Sequence, residues 1–539
     1  MSVRLATMDL LRERGMTTLF GNPGSTELGL LRDFPADFRY ALALHEGVAV
    51  AMADGYAQAT GRPAFVNLHS ACGVGNAMGA VVNAFHNRAP LVITAGNQDR
   101  RHLALEPYLF ARSTALMESY VKFSHEPARA QDVPAAIDRA WALARTPPQG
   151  PTFVSIPSGD WDASVNDETA GASPERDVLF GVGADGDLLD RLAERIEAAG
   201  APALIVGGGV DQACAWDAVA ELADRLSGPV WTAPQAPRLG FAEDHPLYQG
   251  HLAPGRVTAA AQLAGCDLAL VLGAPVFAFL PFETAPARAD GVRLPQIIHV
   301  TDDPGEAARA PALSVVAEVG SVARGLSERL RPRSPARPVA PRPAPAPVDA
   351  PAGGPIPPAF LMAALARALP GDAVLVEESP SNRNDLRAQV WIHRPASFFA
   401  TASGGLGFAM PAAVGIKLAS PERPVVCLVG DGSALYVPQT LWSAVRLGAA
   451  VTFVIVNNGR YAILEAAARF GAIEGLPSME LPGLDFLSLA ASFGVHAVRV
   501  SEPAALPGAL AAAVRSTVPV LIDVLVDPAP IPLLATEAP

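Results

Sequence analysis

Two short polar sequences, Gly430-Asp431-Gly432 and Asn457-Asn458-Gly459, each follow an apolar run, and together they could hold a divalent cation. The enclosing stretch, PVVCLVGDGSALYVPQTLWSAVRLGAAVTFVIVNNGRY (424–461), reads as strand, loop, helix, strand. In a right-handed crossover both loops lie at the carboxyl edge of neighbouring parallel strands, so Asp431 and Asn458 can face one point. A carboxylate with an amide oxygen is a hard, all-oxygen set that suits Mg²⁺ or Ca²⁺ rather than Zn²⁺. The glycines let main-chain amides approach an anion closely. Mg²⁺ takes few protein ligands and fills its octahedron with phosphate oxygens and water, so a bound di- or triphosphate is expected. The plainer alternative is that Gly, Asp and Asn merely close two turns, which they favour anyway.

Loops of this kind need sheets to hold them. From Thr17 to about Pro157, apolar runs (TTLFG, FRYALAL, PAFVNLH, PLVITAG, PTFVSIP) alternate with amphipathic or alanine-rich stretches, the pattern of a parallel α/β sheet. A second unit begins near Pro202 with APALIVGGGV and continues through GPVWTAP, DLALVLGAPV and IIHVTDDP. Residues 331–357, rich in Pro and Ala, read as an extended, solvated linker. The expectation is an α/β chain of three doubly wound parallel-sheet domains, at 1–165, 185–330 and 358–539. With 539 residues the chain is too long for one ordinary core.

Composition narrows the function. A net charge of −13 argues against a nucleic-acid or anionic-membrane surface and favours a small-molecule substrate. Lys122 and Lys417 are the only lysines, which leaves few candidates for Schiff-base chemistry. Cys72, Cys214, Cys266 and Cys427 are scattered without a C-x-x-C pair and read as buried small hydrophobes in a cytoplasmic protein. Charged residues interrupt Met1–Gly15, unlike a signal peptide, and no uncharged apolar run is long enough to span a bilayer.

The order and spacing of GDG and NN resemble the signature of thiamine diphosphate-dependent enzymes. The likeness covers nearly the whole chain and is greatest to the benzoylformate decarboxylase branch, through GNPGSTEL (21–28), DFPADFRYALALHEG (33–47), ADGYAQATGRPAFVNLHSACGVGNAMGA (53–80), PQGPTFVSIP (148–157) and GGLGFAMPAAVGI (404–416). It implies a pyrimidine-binding first domain, a central Rossmann-like domain and a diphosphate-binding third domain, with thiamine diphosphate and Mg²⁺ (or Ca²⁺) as cofactors. Glu46 would be the glutamate that hydrogen-bonds the aminopyrimidine; read without the resemblance, it is equally an acidic first-turn residue favoured by the helix dipole. Ser25 would bind the substrate carboxylate, and His69 would handle protons. Leu406 would support the bent cofactor. Ser379, Ser381, Gly405, Gly430, Gly432, Ser433 and Tyr461 would contact the cofactor, and the Arg460 carbonyl would join Asp431 and Asn458 on the metal. Because such enzymes join Glu46 and Asp431 of different subunits at one cofactor, a homodimer or homotetramer is implied.

Two departures bear on chemistry. Leu280 stands where the branch has a second pocket histidine, and Ala467 replaces a bulky aromatic on the helix that also carries Leu464. The resulting pocket is more apolar and larger. After CO₂ leaves, a proton must be delivered before an aldehyde can depart, so losing one donor slows that branch and favours carboligation. The expected function is decarboxylation of an aromatic or bulky 2-keto acid, with acyloin formation as a second outcome. An acetohydroxyacid synthase-like carboligase is the runner-up, and a bound flavin would favour it. An NAD- or FAD-dependent oxidoreductase would need a complete G-x-G-x-x-G. Gly207-Gly208-Gly209 does not complete it, and Gly73-x-Gly75, continuing to Gly79, is one residue too long and reads as close helix packing. Retention of Glu46, Asp431 and Asn458 argues against a noncatalytic binding protein.

Overall fold

Strands that are apolar on both faces cannot keep one face in water, so they are buried between helix layers in parallel sheets. The computed structural model describes residues 1–165, 178, 183–277, 293–334 and 338–531. It contains three six-stranded sheets in which every paired strand runs parallel. The first holds β1 (Thr18–Gly21), β2 (Arg39–Leu42), β3 (Ala64–Leu68), β4 (Leu91–Asn97), β5 (Ser124–His125) and β6 (Thr152–Pro157), in the order β2-β1-β3-β4-β6-β5. The second holds β7 (Pro202–Val206), β8 (Val230–Thr232), β9 (Tyr248–His251), β10 (Leu268–Leu272), β11 (Gln296–Thr301) and β12 (Leu313–Val316). Its order, β12-β11-β10-β7-β8-β9, is that of a Rossmann sheet. The third repeats the first sheet's pattern as β14-β13-β15-β16-β18-β17. Its strands are β13 (Val374–Glu378), β14 (Phe398–Ala400), β15 (Val425–Gly430), β16 (Val451–Asn457), β17 (His496–Val500) and β18 (Val520–Leu525).

Each long apolar run read from the first two units became a strand. The short edge strands β5, β9 and β12 were not anticipated, because two to four half-buried residues carry little periodicity. Two other expectations change. Only Cys427 is buried; Cys72 and Cys214 are exposed and Cys266 is intermediate. Two of the linker arginines, Arg333 and Arg342, are docked rather than solvated. Arg333 donates to the Ile196, Glu197 and Ala199 carbonyls at a helix C-terminus, and Arg342 packs its guanidinium 4.7 Å from the Trp391 ring and 5.7 Å from Tyr248. Carbonyls and aromatic faces satisfy these cations where water was expected to.

The first and third domains share one core. Helix Glu46–Thr60 and helix Ala409–Ala419 both contribute to it, through Val48, Met52 and Ala53 on one side and Ala412, Ala413 and Val414 on the other. The two helices touch main chain to main chain: a Cβ on Gly415 would overlap the Met52 carbonyl, and one on Gly55 would overlap that of Ala412. Gly415→Val therefore overpacks this seam and lowers the thermal midpoint, at a cost of about 1–3 kcal/mol. Gly508→Ala, in a helix where a Cβ meets nothing within 4 Å, holds or raises the midpoint; differential scanning fluorimetry reads both.

Candidate active site

In an open parallel sheet a ligand binds at the carboxyl edge, where the strand order reverses. In the first sheet that point lies between β1 and β3, where Gly21 pairs with Asn67. The chain leaving β1 forms the short turn Ser25–Glu27, with Ser25 exposed. The chain leaving β3 caps helix Ser70–His86 with His69. The neighbouring β2 leads to Glu46, first residue of its helix and 6% exposed. Ser25, Glu46 and His69 thus stand on loops from adjacent strands.

Glu27, not singled out in the sequence, organises this edge. It is 1% exposed and accepts from the Gly24 and Gly96 amides at 2.9 Å and from the Thr26 hydroxyl at 2.6 Å. Its Oε2 lies 2.9 Å from His69 Nδ1. A carboxylate there accepts the Nδ1 hydrogen and leaves Nε2 free to exchange a proton. Glu46 accepts from Asn76 Nδ2 at 3.1 Å, and a Cβ on Gly73 would come within 3.0 Å of Glu46 Oε1. Of the glycines expected to mediate helix packing, Gly73 alone makes a close approach. Gly75 and Gly79 face open space.

The third sheet reverses between β13 and β15, and its register sets Glu378 beside Val429 and Gly430 beside Val456. Ser379 and Ser381 leave β13, Asp431 to Ser433 leave β15, and Asn458 to Tyr461 leave β16. Asp431 accepts from the Gly432 amide at 2.7 Å and the Gly459 amide at 2.6 Å, which fastens the two loops together. Asn458 Oδ1 accepts from the Arg460 amide at 3.2 Å, and the Tyr461 ring lies against Gly432, leaving no room for a Cβ there. Behind them, fully buried Asp523 accepts from Asn457 Nδ2 at 2.9 Å and Arg499 Nε at 2.8 Å. Burial raises the Asp431 pKa while the amides of Gly432, Gly459 and Asn458 oppose that. Asp431 is 4% exposed, and among the described residues no side-chain cation pairs with it. A buried carboxylate in that state fits a bound metal ion.

Leu406 lies on a loop whose flanking Gly404 and Gly407 have φ of +76° and +94°, backbone that favours glycine. Fully buried Glu378 accepts from the Gly407, Phe408 and Ala409 amides, each at 2.7 Å. Burial pushes its carboxyl up to about 7, against those three donors. Half-buried Ala467 and exposed Leu464 lie on helix Ala462–Phe470, and Leu280 lies outside the described residues. The site residues therefore form two groups, one on the first sheet and one on the third. Among the described residues no hydrogen bond or ion pair joins Glu46 to the Asp431 loops.

At the reversal point of the central sheet the loops after β7 and β10 approach closely among the described residues. The Gly209 amide donates to the Gly273 carbonyl at 2.8 Å, and a Cβ on Gly207 would overlap Ala274.

Comparison with known proteins agrees with this geometry. Residues 1–118, 189–326 and 383–524 match the N-terminal TPP binding, central and C-terminal TPP binding domain models of the thiamine pyrophosphate enzymes. The chain is 42% identical to benzoylformate decarboxylase of Pseudomonas aeruginosa, over 94% of this chain and 96% of that one. It is similar to a solved thiamine diphosphate-dependent 4-hydroxybenzoylformate decarboxylase from Rhodococcus jostii RHA1, with a TM-score of 0.93 and 40% identity over 98% of this chain and 99% of that one. An acetolactate synthase large subunit from Parasynechococcus marenigrum is more distant, at 29% identity over 92% of this chain and 83% of its own. Two reversal points of matching strand order that carry polar side chains, a buried carboxylate suited to a cation at one, and family models along all three domains make this chain a member of the thiamine pyrophosphate enzymes.

Proposed function

We propose that the chain is a Mg²⁺-dependent decarboxylase of aromatic or bulky 2-keto acids of the benzoylformate kind, releasing CO₂ and an aldehyde. The observation that carries this reading is the His69–Glu27 pair at the first sheet's reversal point, in a chain similar over its full length to benzoylformate decarboxylases. Bound thiamine diphosphate supplies the nucleophilic carbon and electron sink that the reaction needs. Asp431, Asn458 and the Arg460 carbonyl hold the metal. Gly430, Gly432, Ser433, Ser379, Ser381, Gly405 and Tyr461 surround the cofactor, and Leu406 supports it. Glu46 hydrogen-bonds the pyrimidine. Ser25 offers a hydroxyl to the substrate carboxylate, and His69, its Nδ1 turned to Glu27, exchanges the product's proton through Nε2. Leu464, Ala467 and Leu280 line the substrate side.

Greater identity to benzoylformate decarboxylase, 42% against 29% for the acetolactate synthase large subunit, supports decarboxylation over a flavin-bound, acetohydroxyacid synthase-like reading. Exposed Leu44, two residues before Glu46, and exposed Leu435 and Tyr436, just past the Asp431 loop, favour a second copy of the chain covering both edges. Among the described residues no helix is long and apolar enough to cross a membrane. Four free cysteines suit a reducing, cytoplasmic compartment.

The test is CO₂ release from benzoylformate by the purified protein with thiamine diphosphate and Mg²⁺, with the organic product identified. Benzaldehyde from the wild type is expected, with a loss of at least about 10²-fold in Glu46→Gln; no CO₂ with cofactor bound would overturn the benzoylformate assignment. Glu27→Gln replaces an acceptor by an amide that can donate to His69 Nδ1, reversing the tautomer. It lowers kcat on the order of 10²-fold and alters the pH–rate profile, while KM stays within a few-fold.

A further inference from the structure

Helix Ser70–His86 carries Asn76 and Asn83 and ends at the C-cap Asn87, a polar stripe along a helix that otherwise buries Val74, Ala77, Val81 and Ala84. Asn76 holds Glu46. Asn83, seven residues and about 10 Å further along the axis, reaches into the third domain. Its side chain is 2% exposed and fully engaged. Oδ1 accepts from the Ser403 hydroxyl and, at 3.3 Å, from Thr401 Oγ1, while Nδ2 donates to the Gly405 carbonyl at 3.2 Å. The Gly405 carbonyl belongs to the peptide plane that leads into Leu406. Fixing that plane fixes the direction in which the Leu406 side chain leaves the backbone. On the far side of Leu406, Glu378 fixes the Gly407, Phe408 and Ala409 amides. Leu406 is thus held between a clamp from its own domain and one from the first domain. Asn87 is the contrast: it holds the Ala402 amide at 2.9 Å and the buried Asp54 carboxylate at 2.9 Å, but makes no contact at the Gly405–Leu406 peptide.

We propose that Asn83 is a positioning residue that acts on the cofactor through Leu406, by orienting the Gly405–Leu406 peptide from the neighbouring domain. This rests on the reading of Leu406 as the support of bound thiamine diphosphate. The alternative is an asparagine that only glues two domains together. The two differ in what changes when the donor alone is removed. Asn83→Asp keeps an acceptor for Ser403 and Thr401 but faces the Gly405 carbonyl with oxygen instead of N–H.

The experiment titrates thiamine diphosphate, at saturating Mg²⁺, into the cofactor-free wild type, Asn83→Asp, Leu406→Ala and the double variant. Tryptophan fluorescence gives Kd, near-ultraviolet circular dichroism reports the bound cofactor's conformation, and melting of the cofactor-free proteins reports domain integrity. Asn83→Asp is expected to weaken binding about 10-fold and to alter the dichroism, while the cofactor-free protein still melts in one cooperative transition at a lowered midpoint. The double variant is expected to bind no more weakly than Leu406→Ala, because the two changes act through one contact. Full additivity, or an Asn83→Asp protein with unchanged Kd and dichroism, would overturn the role of Asn83 while leaving the site's reading intact. A wild type that does not bind the cofactor would overturn both. If Asn83→Asp fails to fold, Asn83→Ser, too short to reach the Gly405 carbonyl, takes its place with the same outcomes.

Discussion

When two helices approach until the main-chain carbonyl of one fills the place of the other's side chain, neither can slide or rotate without collision. The contact of Met52 and Gly55 with Gly415 and Ala412 imposes that constraint on the first and third domains. It fixes the spacing at which every polar group between them must work. Asp54, two turns beyond Glu46 on the same helix, meets Asn87, and Asn87 meets Ala402. Asn83 then reaches Gly405. These are buried hydrogen bonds, and a shift of less than one ångström would leave several groups unsatisfied at a cost of about 1–3 kcal/mol each. Three small residues, Gly55, Ala412 and Gly415, thus set the geometry of loops far from them in sequence.

The three sheets differ in one respect that matters for chemistry. In the first and third the strand order reverses beside loops that carry polar and ionisable side chains. In the central sheet the loops after β7 and β10 close on each other through Gly207, Gly209 and Gly273. A Rossmann strand order therefore does not by itself make a nucleotide site: here the Gly207 and Gly209 amides already donate to the Leu272 and Gly273 carbonyls.

What the sequence reveals follows from how local the physics is. The Asp431 and Asn458 loops were legible because a buried strand ending in Gly-Asp-Gly or Asn-Asn-Gly announces both its direction and its turn. The long strands were legible for the same reason. Glu27 was not, although it stands inside GNPGSTEL, because three residues after Gly24 it reads as an ordinary first-turn acid; its contacts with His69 and Gly96 exist only after the strands pair. Asp523, in the middle of β18, and Glu378, at the end of β13, stand in apolar runs with no motif around them to mark a role. One signal was available and passed over: Asn76, Asn83 and Asn87 recur on one face of an otherwise apolar helix. The buried pair Asn83 and Asn87 demand partners on whatever packs there.

The loop around Leu406 separates two properties that most side chains bind together. Its path is set by Gly404 and Gly407, whose left-handed backbone needs no side chain, and by hydrogen bonds to main-chain groups at Gly405 and from Gly407 to Ala409. None of these anchors uses the Leu406 side chain. Residue 406 is therefore an independent variable of descent: a lineage can change the size and shape offered at this spot by one substitution and keep the scaffold that presents it. The side chain at 406 can vary without disturbing the main-chain bonds that set the path of the loop.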